Sequence, residues 1–559
     1  FSKRVDLGQP DSLIKVWTEP FLPQHRDAGL YRPLTVFTFA LNFLLFGESP
    51  LGFHLVNVFL NGVNVFLVFL LVDKLFNNLF LALVSAAFFG FLPIHTEAVA
   101  FIKSRDELLA AFFALLAWLV FLEATRHAKI SYLKIFGSSM FFLLAVLAKE
   151  LIIIAPAAFI AIYWLKNKTG LRRAVKLSLA YLPAASFYLW LRYRVLGQYG
   201  FGRDDSYFII NPVGYVDWLT RFWTAFKIAF VYIGKTFVPI NLSATYHYNQ
   251  LTLVENPLTS GAALAGMAFL AILIWFLIWR RTRLTPLAAG AAFFLISYSV
   301  ISKFVFKAGD ILAERWLYFP SIGLSLIGGY GLTKVWGHKK RLTAAVMLAA
   351  AAAFGYVIIS RNRVWLSNQA LYQNMIETAP NSIQGHMNLA DLYLENNDLE
   401  SARRQAETAF NIYKEHPPLL NLIGVIAFKD GNYDLAERAF LKAIEIRPKL
   451  PLSFSNIAKV YYKTGDYGKA EEALRNVVNL YPKPEDVILY ALTLSKLKRY
   501  AESTEVIKKY FSRDLANSQV RLVLAINSFK VGNLDEARKY FDWNQSKSEA
   551  EKIEILKDF

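Results

Sequence analysis

The chain has 559 residues, 55% of them hydrophobic and 15% aromatic, with a mean hydropathy of +0.33. Its net charge of +18 does not point to nucleic acid. Much of the excess sits in short runs between apolar segments, at Lys166–Arg173, Arg280–Arg283 and Lys339–Arg341, the pattern of cytoplasmic loops in a polytopic membrane protein. With no cysteine, disulfides and thiolate-bound metals are excluded.

In chain order, residues 1–52 are too polar and proline-rich to span a bilayer and read as an external loop with amphipathic helices near 11–18 and 34–46. Crossing roughly 30 Å of hydrocarbon takes about 20 apolar residues in a helix. That rule predicts spans at 53–75, 79–94, 106–123, 132–148, 150–165, 175–193, 262–280, 285–301, 316–333 and 342–360. Segment 218–240 carries Arg221, Lys227 and Lys235 and is expected to be interfacial, re-entrant or paired rather than a single crossing. With the basic runs inside, the segments 95–105, 149–150, 194–217, 241–261 and 302–315 fall outside together with everything after 361.

From about 362 the sequence turns polar and repeats every 34 residues. Ala402, Ala436 and Ala470 share one register, Pro448 and Pro482 another, and Gly431-Asn432-Tyr433 and Gly465-Asp466-Tyr467 mark turns between paired helices. This is the tetratricopeptide pattern, two helices per repeat stacked into a superhelix. About five repeats are expected, preceded by a helix at 366–379. The fold class is therefore all-α, with an extracytoplasmic segment 1–52, a polytopic membrane domain 53–361 and an extracytoplasmic repeat domain 362–559. Such an array binds a peptide, an acceptor protein or a partner, or serves as architecture alone.

Ionisable residues at a membrane boundary are costly unless paired or functional, and residues 90–107 gather His95, Glu97, Lys103, Arg105, Asp106 and Glu107. His95 and Glu97 either hold Mg²⁺ or Mn²⁺ or form a satisfied polar cap. Arg105 either grips a phosphate with its planar fork or is structural, while Asp106 and Glu107 favour a helix start. Lys149-Glu150 and Glu314-Arg315 bring further acid–base pairs to the outer edge, the latter beside Trp316 and Tyr318 at headgroup level. Arg32 and His25 join them from the first loop. Arg203-Asp204-Asp205 reads as solvated loop charge. No nucleotide-binding or hydrolase motif stands out.

Tyr31-Arg32-Pro33-Leu34-Thr35, Gly52-Phe53-His54-Leu55-Val56-Asn57, Pro93 through Val99, Ala148-Lys149-Glu150, Ala313 through Gly323 and Arg361 through Trp365 occur in one order ahead of the repeats. In this the chain resembles the transmembrane-and-tetratricopeptide O-mannosyltransferases, whose membrane part belongs to the GT-C glycosyltransferases. The resemblance implies transfer of a mannose-like sugar from a polyprenyl-phosphate carrier to an extracytoplasmic acceptor, a protein in this family. The location implied is a multi-pass one, in a bacterial inner membrane with the repeats outside, or in an endoplasmic reticulum membrane with the repeats luminal. Phosphate binding falls to Arg32, Arg105, Arg315 and Lys149. His95 and Glu97 take second-acid, metal or acceptor-positioning roles, supported by Asp106, Glu150, Glu314 and Tyr318. The family's paired acids in the first external loop have no match before Arg32, and the base is expected upstream of Phe1. The competing class is a non-catalytic, membrane-anchored scaffold. A lipid-linked-sugar flippase would place charge at mid-membrane, whereas these charges lie at the edge.

Overall fold

The computed structural model describes residues 10–22, 29–127, 129–167, 171–197, 208–279, 284–306, 309–448, 450–480, 482–511 and 517–540, so His25 and Arg203 to Asp205 lie outside the described residues. Helix dominates, and among the described residues one isolated bridge, Tyr246 with Leu312, is the sole β-pairing. Two compact units divide at Ser382/Ile383, later in the chain than the composition shift near 361.

The first unit opens with α1 (Pro10–Thr18) and α2 (Pro33–Phe46). Pro33 stands at the first helical position, where its missing N–H costs nothing, and it fixes Arg32 just outside the helix. There follow α3 (Pro50–Phe76), α4 (Leu79–Gly90), α5 (Thr96–Ala100), α6 (Arg105–Ala124), α7 (Tyr132–Ala148), α8 (Ala155–Asn167), α9 (Leu171–Ser178) and α10 (Leu182–Leu196). The remainder comprises α11 (Trp218–Phe237), α12 (Gly261–Trp279), α13 (Pro286–Ser299), α14 (Ser321–Trp336), α15 (Lys340–Val364) and α16 (Asn368–Thr378).

Among the described residues five helices are long and apolar enough to cross a membrane: Pro50–Phe76, Ile102–Ala124, Arg172–Leu196, Gly261–Ile278 and Lys340–Val364. Leu79–Gly90 and Pro93–Ala100 make a sixth if the pair, bent by 51°, counts as one span. The ten spans expected from hydropathy are thus too many by this measure. Helices α7, α13 and α14 have 17, 14 and 16 residues, which at 1.5 Å per residue reach only about 21–26 Å.

Those shorter helices are held by close packing. On α13 and α14, Gly290 and Gly323 face each other so closely that a Cβ on Gly323 would lie 2.5 Å from the Gly290 carbonyl and 2.7 Å from the Phe294 nitrogen. In lipid, where neighbouring chains are as apolar as leucine, such backbone approach is a main source of helix association. Trp118 stacks between Phe159 and Phe293, with ring centres 5.1 and 5.2 Å away, and ties α6 to α8 and α13. By contrast α15 buries only 6% of its apolar window, leaving a face for lipid.

The described residues of the second unit form five helix pairs: Ile383–Glu395 with Leu399–Ile412, Pro417–Lys429 with Tyr433–Ile446, Pro451–Thr464 with Tyr467–Leu480, Pro484–Lys496 with Tyr500–Phe511, and Ser518–Lys530 with Leu534–Tyr540. The turns inside the pairs reuse one left-handed position, filled by Asn397, Gly431, Gly465, Lys498 and Gly532 with φ between 58° and 84°. Asn432 then caps the next helix by accepting from Leu435 N at 3.1 Å.

Candidate functional site

The bend between α4 and α5 makes the site. Pro93 opens a short 3₁₀ turn and accepts the Thr96 hydroxyl at 2.8 Å, so the chain turns inward and His95 and Glu97 are 3% and 1% exposed. A second 3₁₀ turn, Ile102–Ser104, leads into α6, whose first three residues Arg105, Asp106 and Glu107 are all buried. Their opposite end is marked by Glu123, which meets Lys74 at 3.3 Å and Lys134 at 3.5 Å near the surface. Two ion networks form at the Arg105 end.

In the first, Arg32 engages Glu150 through two bonds of 2.9 and 2.6 Å and also meets Asp106. Lys149, at the end of α7, binds Glu107 and lies 3.6 Å from Asp106. Arg192 of α10 stands 3.9 Å from Glu150 and donates to the Gly29 carbonyl at 2.6 Å. Three cations thus face three carboxylates, as low-dielectric surroundings require.

In the second, Arg315 binds the Glu97 carboxylate by side chain and by backbone N–H at 2.9 Å, and Asp310 at 3.0 Å. His247 stands 3.8 Å from Asp310. Burial works to raise the Asp310 carboxyl, but His247, Arg315 and Lys303 hold it well below the usual range. The Lys303 ammonium lies 4.9 Å from the Trp316 ring, and burial lowers it to about 8. Glu314 accepts from Ser243 N at 2.7 Å and from the Tyr246 hydroxyl, with Arg361 3.9 Å away. Burial raises its carboxyl to about 7 against the pull of Arg361.

A polar ladder joins the networks to the core. Asn57, Asn61 and Asn64 lie on one face of α3, four and three residues apart. Tyr318 donates to Asn61 at 2.7 Å and accepts from Asn64 at 3.2 Å, while its ring lies 4.6 Å from that of His95. A small cavity beside the first network is lined by Glu107 and Lys149 together with Ile152, Trp316, Phe319 and Pro320.

The structure brings Arg32, Asp106, Glu107, Lys149 and Glu150 together in one network and Glu97, Glu314 and Arg315 close together in the other, and two residue roles read differently here. His95 and Glu97 do not fit a shared cation site. The imidazole Nε2 faces Ser321 Oγ at 2.8 Å, while Glu97 is committed to Arg315, and among the described residues no three His, Asp or Glu side chains group as metal ligands. Arg105 is fully enclosed and donates to neutral oxygens: Asn57 at 2.9 Å, Asn42 at 2.6 Å, Phe53 at 3.0 Å and Thr38 at 3.3 Å. With Phe39 4.6 Å from its guanidinium, it clamps α2, α3 and α6, and its named hydrogen bonds all go to the protein's own oxygens. Sequence reading passed over Asp310, His247, Arg192 and the asparagine ladder. Only the ladder had a local signal, amides at helical spacing inside a span.

Residues 31–196 match the protein family described as dolichyl-phosphate-mannose-protein mannosyltransferase, and residues 387–451 and 453–484 match tetratricopeptide-repeat families. Protein O-mannosyl-transferase TMTC1 of Homo sapiens is 27% identical over 438 residues, covering 71% of this chain and 49% of that protein. Protein O-mannosyl-transferase F38B6.6 of Caenorhabditis elegans is 24% identical over 418 residues, 72% of this chain and 57% of that protein. Protein O-mannosyl-transferase TMTC4 of Homo sapiens is 26% identical over 447 residues, 69% and 59% respectively. The chain spans about half the length of the curated relatives it matches.

Proposed function

From its likeness to the transmembrane-and-tetratricopeptide O-mannosyltransferases, we propose that this multi-pass membrane chain transfers a mannose-like sugar from a polyprenyl-phosphate carrier to a protein acceptor. The positive-inside pattern supports an extracytoplasmic site, with the repeats on the same side binding the acceptor or a partner protein. The single observation that carries the reading is the convergence of Arg32, Lys149 and Arg315, from three distant segments, on one end of an apolar helical unit.

The reaction needs that charge. An acceptor hydroxyl oxygen bonds to the anomeric carbon as the carbon–oxygen bond to phosphate breaks, the bonding pair leaves with the phosphate, and a carboxylate takes the hydroxyl proton. Negative charge grows on the departing phosphate and favours fixed cations beside it. In this proposal Arg32, Lys149 and Arg315 supply the field, Glu97 orients Arg315, and Arg105 fixes the helices that carry them. His95 and Tyr318 hold the inner wall.

One observation favours the scaffold reading: each of those three cations is matched by carboxylates, as structural ion pairs would be. The test is to incubate the intact protein in nanodiscs with polyprenyl-phosphate mannose and candidate acceptor proteins and to read added mass. Transfer that is lost in a folded Arg315→Met variant supports the enzyme. No transfer from any polyprenyl-phosphate sugar supports the scaffold.

A further inference from the structure

Charge balance singles out a residue that neither the motifs nor the relatives assign. Arg32, Lys149 and Arg315 are each held by two carboxylates within 4 Å. To bind a substrate phosphate directly, each would have to release a buried carboxylate and leave it unpaired, a costly exchange. Lys103 differs. It sits in the 3₁₀ turn Ile102–Ser104 between the two networks, its side chain is exposed, and among the described residues no carboxylate approaches it within 4 Å.

Its surroundings are those of a recess rather than open surface. The Lys103 ammonium lies 5.9 Å from the centre of the Phe21 ring, and the Arg32 guanidinium lies 5.7 Å from the same centre. Phe21 itself is 2% exposed. Two cations thus share one buried ring, and Arg315 is the next positive group that Lys103 feels, with Asp106 and Asp310 the nearest negative ones. Because Asp106 is taken by Arg32 and Asp310 by Arg315, Lys103 is, among the described residues, a positive charge beside both networks with no carboxylate of its own.

We propose that Lys103 is the side chain that contacts the phosphate of a lipid monophosphate carrier, with the paired guanidiniums of Arg32 and Arg315 flanking it as fixed field. This rests on the donor class proposed above and names the contact within it. A lysine suits the task because its ammonium is a compact point charge, and this one has no carboxylate to release before it meets the phosphate.

The test uses the intact protein in phosphatidylcholine nanodiscs, with undecaprenyl monophosphate and undecaprenol as probes and Lys103→Gln and Lys103→Arg as variants. Wild type is expected to bind the monophosphate more tightly than the alcohol. Lys103→Gln should lose about tenfold or more of the phosphate affinity, the scale of one hydrogen bond to a charged group. Undecaprenol binding should not change and thermal unfolding should shift little, since Lys103 has no carboxylate partner to leave unpaired, and Lys103→Arg should restore most of the loss. If Lys103→Gln binds the monophosphate like wild type, the Lys103 assignment is overturned while the donor class stands. If wild type binds phosphate and alcohol alike, both fall. If phosphatidylglycerol added to the nanodisc displaces the monophosphate at equal concentration, the site is one for bilayer headgroups and the assignment is again overturned.

Discussion

Replacing Lys149 by methionine isolates the energetics of the first network. Lys149 is 3% exposed at its side chain, and its partners Asp106 and Glu107 are 3% and 7% exposed. Methionine keeps the length and apolar stem but removes the charge, so Glu107 loses its ion-pair partner while Asp106 keeps Arg32. Breaking one side of a buried pair costs about 3–5 kcal/mol, because the abandoned charge stays desolvated. For a unit of this size that is a fall in apparent melting temperature on the order of 5–10 °C. Unfolding would be followed by tryptophan fluorescence in detergent at one fixed scan rate, since membrane proteins seldom refold on cooling. The double variant Lys149→Met with Glu107→Gln carries no orphan charge and should recover more than half of the loss. A Lys149→Met protein that melts with wild type would refute the buried ion network, and so would a double variant no better than the single one.

Three further outcomes follow from the structure. Between about pH 4.5 and 7 the folded protein keeps a proton on Glu314 that the unfolded chain has released, so its contribution to stability is present at low pH and is lost as pH rises through 7. Glu314→Gln should therefore melt above wild type at pH 8 and alongside it at pH 5, as measured by paired thermal scans. Gly323→Leu places a side chain onto the Gly290 carbonyl and Phe294 nitrogen and should cost about 1–3 kcal/mol or more, seen as loss of monodisperse protein after mild heating. Lys498→Gly relieves a left-handed residue at φ 61° and should stabilise the repeats by about 0.5–1 kcal/mol, read from the midpoint of urea unfolding. A destabilised Lys498→Gly would mean that its side chain makes contacts worth more than the backbone strain.

The repeat unit was legible because its information is local. Each turn recurs 33 or 34 residues after the last, and the left-handed position recurs with it, so the period alone gives helix pairs and boundaries. The membrane unit was legible only in part. Apolar runs locate helices, but they do not reveal that the chain bends 51° between Leu79–Gly90 and Pro93–Ala100, nor that α13 and α14 approach so closely at Gly290 and Gly323. The site shows the same division. Arg32, Glu97, Lys149, Glu150 and Arg315 stood out because each sits where an apolar run ends. Their pairing did not, since Arg32 and Glu150 are 118 positions apart and Glu97 and Arg315 are 218 apart. Arg105 misled for a definite reason. Beside Asp106 and Glu107 it has the look of a charged site residue, yet its partners are amides and carbonyls of α2 and α3 whose proximity no local pattern encodes.

The matched charges around the site bear on how a transferase and a scaffold differ. A scaffold needs its buried ions neutral and has no use for a cation left over at the surface of that cluster. A transferase acting on a lipid phosphate faces a leaving group whose charge rises by about one unit as the sugar departs. It gains most from groups already held in place, because nothing must then reorganise during the reaction. Carboxylates behind Arg32 and Arg315 do that holding. They fix each guanidinium while reducing its net field, so an uncompensated charge in front of them adds most to the attraction that grows with the reaction, and Lys103 is placed to provide it. On this argument loss of Lys103 should lower the maximal rate of transfer more than it weakens binding of the intact sugar donor. Loss of Glu97 should unlock Arg315 and affect both. A Lys103→Gln enzyme with unchanged maximal rate and only a raised KM would contradict it, because the contact would then be as strong before the sugar leaves as after.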